Sequence, residues 1–482
     1  MLKRLRFLLV PALLAAILPL AQADSSTVSC PRPRPAPLDF AKPTFIDENR
    51  AGGEPVSIVA DDGSIIVSAH AGTTHIYKDP AAAAGGGDFL RSYYNQTLNW
   101  RSTDGGKTWQ YVGLAGAPEG PHSATSTGFS DPDLTKDAAG NLYNVEIDLA
   151  NVAVFGSPDD GQSWPTANPF AASGDRPWVT GAEENEVFLY VNLPKSLWRS
   201  TDGGLTFLPV DQGQGQLGPD GKMLVDPLNP KKGLLGPLGE GGVSISADDG
   251  SSWKNYPAPL GGSTQFFGAV AVDRAGWIYA ANAGGYSGSN DTKPNGQVTF
   301  NYFNRGTKEW AKAPIRIPTP KGDALWPWII AGDDGRVAVT WYQTIAGKEN
   351  KFNIFVAYTT NGHGTTVTCS DGSKRFVPPQ FQVANASGRP IHVGKICLSG
   401  TACNANTSFE AGDRRLGDFF TINFDHTGKL FVVSGDTTLK SPLGGPKPVA
   451  NPIFIKQTGG DPMLEKPDKV RKSRCLMNLP TC

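Results

Sequence analysis

The chain has 482 residues with 44 basic and 45 acidic side chains, and no basic block follows its first residues. That balance excludes the electrostatic footprint of a nucleic-acid partner. Glycine occurs 57 times, above the ordinary share of roughly 7%, as a fold of many tight hairpins requires.

At the N-terminus, Met1-Leu-Lys3-Arg4-Leu-Arg6 is basic, Phe7–Leu20 is apolar and Ala21-Gln-Ala23 is a small-residue cleavage pattern. Together they predict a secretory signal peptide over residues 1–23. No later apolar run approaches the roughly 18 residues of a membrane span. The mature chain is therefore expected to be secreted or periplasmic, without a membrane span, and monomeric. Six cysteines in an exported chain are expected to be bridged. Cys397 and Cys403 close a short loop, Cys475 and Cys482 bracket the tail, and Cys30 and Cys369 remain. With no C-x-x-C pair and no histidine at ligand spacing, a cysteine metal site is not expected.

One phrase then returns four times. It reads Ser102-Thr-Asp104-Gly-Gly106-Lys-Thr108-Trp109, Ser157-Pro-Asp159-Asp-Gly161-Gln-Ser163-Trp164, Ser200-Thr-Asp202-Gly-Gly204-Leu-Thr206-Phe207 and Ser246-Ala-Asp248-Asp-Gly250-Ser-Ser252-Trp253. Aspartate accepts backbone N–H bonds in a tight turn, glycine supplies positive φ, and the hydroxyls add local bonds. The closing aromatic ring begins a strand and packs beneath the turn. The spacing of the four aspartates fits the roughly 40–50 residues of a propeller blade.

A second phrase, two apolar strands around a polar Gly-containing turn, is more frequent. Its turns centre on Asp61-Asp-Gly63, Asp137–Gly140, Glu183–Asn185, Asp226–Gly233, Asp273–Gly276, Asp333–Gly335 and Asp425–Gly428. Seven such hairpins predict an all-β fold: a single β-propeller of four-stranded blades, seven by this count, with six or eight as the alternatives. Residues 24–43 read as an extended Ser/Pro-rich lead-in, 44–462 as the propeller and 463–482 as a charged tail. Blade seven lacks a fourth strand of its own, and Leu38-Asp-Phe40 with Thr44-Phe-Ile46 lacks a partner. The N-terminal segment is therefore expected to close the last blade. Long excursions are expected at 71–97, 281–297, 343–353, 362–375, 384–413 and 437–452. Most fall between strands two and three or between blades, on the face opposite the four repeated turns. Loops clustered on one face of a rigid scaffold point to a binding site there.

The polar residues predicted at that mouth begin the innermost strands: Asp131-Pro-Asp133, Asp175-Arg176-Pro-Trp178, Asp220-Gly-Lys222, Asp323 with Trp326-Pro-Trp328, and Arg414-Arg415-Leu-Gly-Asp418. Asp131, Asp175, Arg176, Arg415 and Asp418 are the catalytic candidates. His75, His122, Trp178, Asp220, Trp326 and Trp328 are the ligand-binding candidates. Guanidiniums suit an acid group and indoles suit a sugar face. The plainer alternative is that these residues brace neighbouring blades. No cofactor is expected, although carboxylates at 131, 133 or 175 are of the type that holds Ca²⁺.

The repeated phrase resembles the Asp-box of bacterial neuraminidase repeats. Asp175-Arg-Pro-Trp178 and Leu416-Gly-Asp418-Phe419 are similar to phrases of exported sialidase-like proteins. The resemblance implies that Asp104, Asp159, Asp202 and Asp248 are structural turn residues. In true sialidases an R-I-P phrase opens blade one. Here that place reads Gly53-Glu54-Pro55, while Arg316-Ile-Pro318 falls in a predicted outer strand. The implied function is that of a secreted propeller that binds, and in one reading cleaves as a hydrolase or lyase, an acidic or hydroxylated extracellular glycan or small polar ligand. In the other reading it is a non-catalytic binder of a glycan or protein.

Overall fold

Each repeated phrase closes the hairpin between the third and fourth strands of a sheet. The structure is a computed structural model that describes residues 28–70, 97–112, 130–148, 151–211, 219–239, 241–261, 267–284, 286, 296–345, 347–398, 413–440, 444–447 and 449–472. In blade two the Ser157 hydroxyl donates to Asp159 Oδ1 at 2.8 Å and accepts the Gly161 amide at 3.0 Å. The amide and hydroxyl of Ser163 donate to the two oxygens of Asp159 at 2.9 and 2.6 Å. The same four bonds surround Asp104, Asp202 and Asp248. Glycine is required in these turns because the backbone both takes positive φ and presses on the preceding blade. A Cβ at Gly161 would stand 2.7 Å from Ile66 of blade one, and one at Gly250 would stand 2.3 Å from Leu197 of blade three. The turns fit blade to blade.

Among the described residues there is no helix, and seven sheets of at least four strands stand in a ring as a β-propeller. The first strands are Val56–Val59, Ser130–Lys136, Asp175–Gly181, Leu224–Val225, Ala269–Val272, Ala324–Ala331 and Thr421–Phe424. They are the innermost, and those of six blades line an axial cavity of about 270 Å³. Fully buried rings such as Trp100, Tyr190, Tyr279 and Trp341 fill the wedges between sheets, where large apolar surfaces contribute most. No helix among the described residues is long and apolar enough to cross a membrane.

The ring closes as its unpaired edge demands. Asp39 pairs with Gly459 and Thr44 with Phe454, so the N-terminal segment forms the outermost strand of blade seven. The Cys30–Cys369 disulfide ties that segment to the hairpin of Thr365–Thr368 and Lys374–Val377, which is inserted in blade six. Cys397 is also disulfide-bonded. Cys403, Cys475, Cys482, His75, His122 and residues 1–23 lie outside the described residues.

Two expectations change. Residues 343–353 are not an excursion, because Val337–Ile345 and Lys348–Thr359 stay paired up to Ile345 opposite Lys348. Phe352 and Ile354 are fully buried and hold that extension in the core. The start of the tail is also part of the propeller. Met463 and Leu464 are buried, and the chain then bridges blades through Arg274–Asp468 and Arg471–Asp61 ion pairs of 2.7 and 3.0 Å.

Candidate functional site

Four of the seven innermost strands are entered by one backbone device: a non-glycine residue at left-handed φ directly before proline. Glu54, Asp131, Arg176 and Trp326 have φ of 48, 58, 56 and 51°, and Pro55, Pro132, Pro177 and Pro327 follow them. Such conformations cost roughly 1–3 kcal/mol each and persist where the surroundings over-determine them. In blade seven Gly417 takes φ of 78° at the same place, where a Cβ would stand 2.0 Å from Glu54 Cγ.

Three of these entries, with neighbouring chain, build a buried charged cluster. Glu54 Oε2 lies 2.6 Å from His70 Nε2, and Glu54 Oε1 accepts the Asp418 amide at 2.6 Å. Asp131 Oδ1 is 4.0 Å from the same His70 nitrogen. Arg414 grips Asp418 with both terminal nitrogens. Burial pushes the Asp131 carboxyl well above the usual carboxylate range and the Glu54 charge adds to it, while Arg176 pulls the other way. Burial would raise Glu54 as well, but the His70 ring, then Arg176 and Arg414, outweigh it and hold Glu54 at about 2. The two carboxyl groups are thus driven apart, one toward the acid and one toward the anion, as an acid–base pair requires.

Beneath the cluster, Trp178 stacks on Trp328 at 5.8 Å and meets Phe267 and Phe419 at 5.2 and 5.5 Å. Trp328 of this ring cluster also lines the axial cavity. Arg176 lies on these rings, its guanidinium 3.6 Å from the Trp178 centroid and 4.2 Å from that of Phe419. It is 3% exposed, and none of its three nitrogens has a hydrogen-bond partner among the described residues. Cation–π contacts hold this donor fork, and the charges of Glu54 and Asp131 act on it without a hydrogen bond.

The structure therefore brings together Asp131, Arg176, Trp178, Trp328 and Asp418. Asp175 stands exposed at the rim, and its charge acts on Asp131 and Arg414. Arg415 belongs to a separate brace: it donates to Asp413 and to the Lys447 carbonyl, beside the buried His392. Asp220 pairs with Lys195 and accepts the Gly239 amide. Trp326 is buried against Tyr342 rather than at the mouth. Asp133 is neutralised by Lys222, 2.7 Å from both its oxygens. Arg414, predicted at the mouth, joins the cluster, and Glu54 and His70 complete it, although neither was among the sequence candidates. The repeated X-Pro at strand entries was the signal that could have found Glu54.

Fold and site together define a seven-bladed β-propeller with a buried cluster of carboxyl, imidazole and guanidinium groups at one mouth. No protein-family model matches the chain. Over 82 residues it is 34% identical to a xyloglucanase of Hypocrea jecorina (strain QM6a), a stretch covering 15% of this chain and 10% of that protein. In shape it is similar to a xyloglucanase from Xanthomonas campestris, with 13% identity, TM-score 0.45 and coverage of 85% and 55% of the two chains. It is also similar to an α-L-arabinofuranosidase of Fusarium graminearum, with 12% identity, TM-score 0.37 and coverage of 89% and 98%. A third likeness is to an intramolecular trans-sialidase of Ruminococcus gnavus, with 13% identity, TM-score 0.36 and coverage of 86% and 96%.

Proposed function

We propose that this is an exported propeller that binds, and cleaves, an acidic extracellular glycan at the mouth of its central channel. One observation carries the reading: the Arg176 guanidinium is buried, clamped on aromatic rings and without a hydrogen-bond partner among the described residues. A donor fork in that state is complemented by a carboxylate or sulfate of a ligand. Asp131, raised by burial and by the neighbouring Glu54, is the proton donor. The Cys30–Cys369 disulfide supports export, and the repeated turns fit Asp-boxes in a structural role. Glu54, standing where the sialidase-like resemblance expects arginine, favours a second reading in which the site binds without cleaving.

The test is an acidic-glycan array together with a chromogenic-glycoside panel, run on wild type, Arg176→Lys and Asp131→Asn. Glycan binding that Arg176→Lys weakens at least tenfold, and hydrolysis that Asp131→Asn abolishes without loss of binding, support the reading. Binding without turnover selects the second reading. No glycan retained by the folded wild type overturns both.

A further inference from the structure

Glu54, His70 and Asp131 come from two neighbouring blades and converge on one point. Glu54 enters blade one, Asp131 enters blade two at a register shift in its strand, and His70 follows the second strand of blade one, its amide donating to the Gly53 carbonyl at 3.0 Å. Their donor atoms all lie within 4.8 Å of one another, and the three residues are 0, 2 and 7% exposed. This convergence is not the arrangement that ion pairing alone favours. Arg176 is close enough for its charge to act on both carboxyl groups, yet its nitrogens have no partner among the described residues. Glu54 bonds the imidazole instead and shares a side-chain hydrogen bond with Asp131, whose backbone amide donates to the same ring nitrogen at 3.5 Å. Around the mouth, the carboxyls of Glu54, Asp131, Asp175 and Asp418 meet the guanidiniums of Arg176 and Arg414 and the imidazole of His70. With all four carboxyls ionised, even a charged imidazole leaves one negative charge in excess around this largely buried group, which a proton or a cation must offset.

We infer that Glu54, His70 and Asp131 form a divalent transition-metal site, with Glu54 Oε2, His70 Nε2 and Asp131 Oδ1 as protein ligands. The donor chemistry selects the metal. One imidazole nitrogen with two carboxylate oxygens suits Zn²⁺ or Mn²⁺, whereas Ca²⁺ and Mg²⁺ prefer all-oxygen shells. With bonds of about 2.0–2.2 Å, tetrahedral donors stand about 3.4 Å apart. The Glu54–His70 separation of 2.6 Å must widen and the His70–Asp131 separation of 4.0 Å must shorten, each by less than about 1 Å. Small side-chain rotations supply both. Orientation from outside the site is already present, since the Asp418 amide fixes the second oxygen of Glu54. Three protein ligands leave the metal an open position, as catalytic sites do. The inference does not rest on the glycan reading: a metal-bound Asp131 is deprotonated, so proton donation belongs to the metal-free form, and the test uses no glycan.

The test is titration of chelator-stripped, full-length protein with ZnCl₂ and MnCl₂, with CaCl₂ and MgCl₂ as comparators, followed by calorimetry and elemental analysis. One equivalent of Zn²⁺ or Mn²⁺ is expected, with affinity at least about tenfold weaker in His70→Ala and in Asp131→Asn. His363→Ala, which changes an exposed histidine, should keep full stoichiometry. Should both site variants fail to fold, the wild type loaded with Co²⁺ decides the matter. A visible spectrum of low-coordinate, nitrogen-ligated cobalt supports the site, and that of the hydrated ion overturns it. The inference also falls if the stripped wild type takes up no metal, if His70→Ala binds as tightly as wild type, or if Ca²⁺ binds more tightly than Zn²⁺ and Mn²⁺.

Discussion

The backbone amide of Asp418, in blade seven, donates to the carboxylate of Glu54, in blade one, at 2.6 Å. This bond joins the two ends of the ring at the mouth that carries the charged cluster, so closure and site share one residue. Glu54→Gln keeps an acceptor for the amide, whereas Glu54→Ala leaves it and His70 buried without that partner. Glu54→Ala is expected to cost roughly 3–5 kcal/mol and Glu54→Gln clearly less, as read by denaturant unfolding.

The repeated turns should govern acid stability. Slight burial acts to raise Asp104, Asp202 and Asp248, but the bonds from Thr108, Thr206 and Ser252, then from the phrase-opening serines, outweigh it and lower all three. A carboxylate lowered in the folded state stabilises above its unfolded value of about 4, and that stability is lost as pH falls through the folded value. Asp202→Ala should cost roughly 1–3 kcal/mol at pH 7, less as pH falls below about 4, and leave ligand affinity unchanged. Equal destabilisation at pH 7 and pH 2 would show that the carboxylate bonds are not the cause.

Asp131 behaves in the opposite sense. Burial and the Glu54 charge raise it, so its contribution is fully present below about pH 4 and is lost as pH rises through the raised folded value. In chelator-stripped protein, Asp131→Asn is expected to raise Tm at pH 7 by roughly 1–3 °C and to give no gain at pH 4. Scanning calorimetry across that range checks it.

Deleting residues 24–47 removes the strand that covers Asn451–Gly459 and the Cys30 partner of Cys369. Aggregation or failure to fold is expected, because a long apolar edge becomes unpaired. A truncated protein that melts like the intact one would refute this closure. Truncation after Gln457 should also destabilise, since Met463 and Leu464 are buried. Truncation after Arg471 should be mild by comparison.

The sequence by itself determined the architecture. A phrase repeated four times and a hairpin repeated seven times carry the blade count locally, because a tight turn needs Asp, Gly and hydroxyls at fixed offsets. The closing strand was legible too, since Leu38–Ile46 was an apolar segment without a partner and blade seven was a sheet without a fourth strand. Asp131, Arg176 and Asp418 were legible at the mouth because they begin innermost strands. Only the tertiary structure decided which charges meet. Residues 54, 70, 131 and 418 lie far apart in the chain, and no local period marks them. Arg414 and Arg415 are adjacent, yet one faces the cluster and the other a separate brace, because the chain turns tightly there, the Gly417 amide donating to the Arg414 carbonyl at 2.9 Å. The left-handed φ that aims Glu54, Asp131 and Arg176 is imposed by packing around each strand entry, a property of the closed ring rather than of any single stretch.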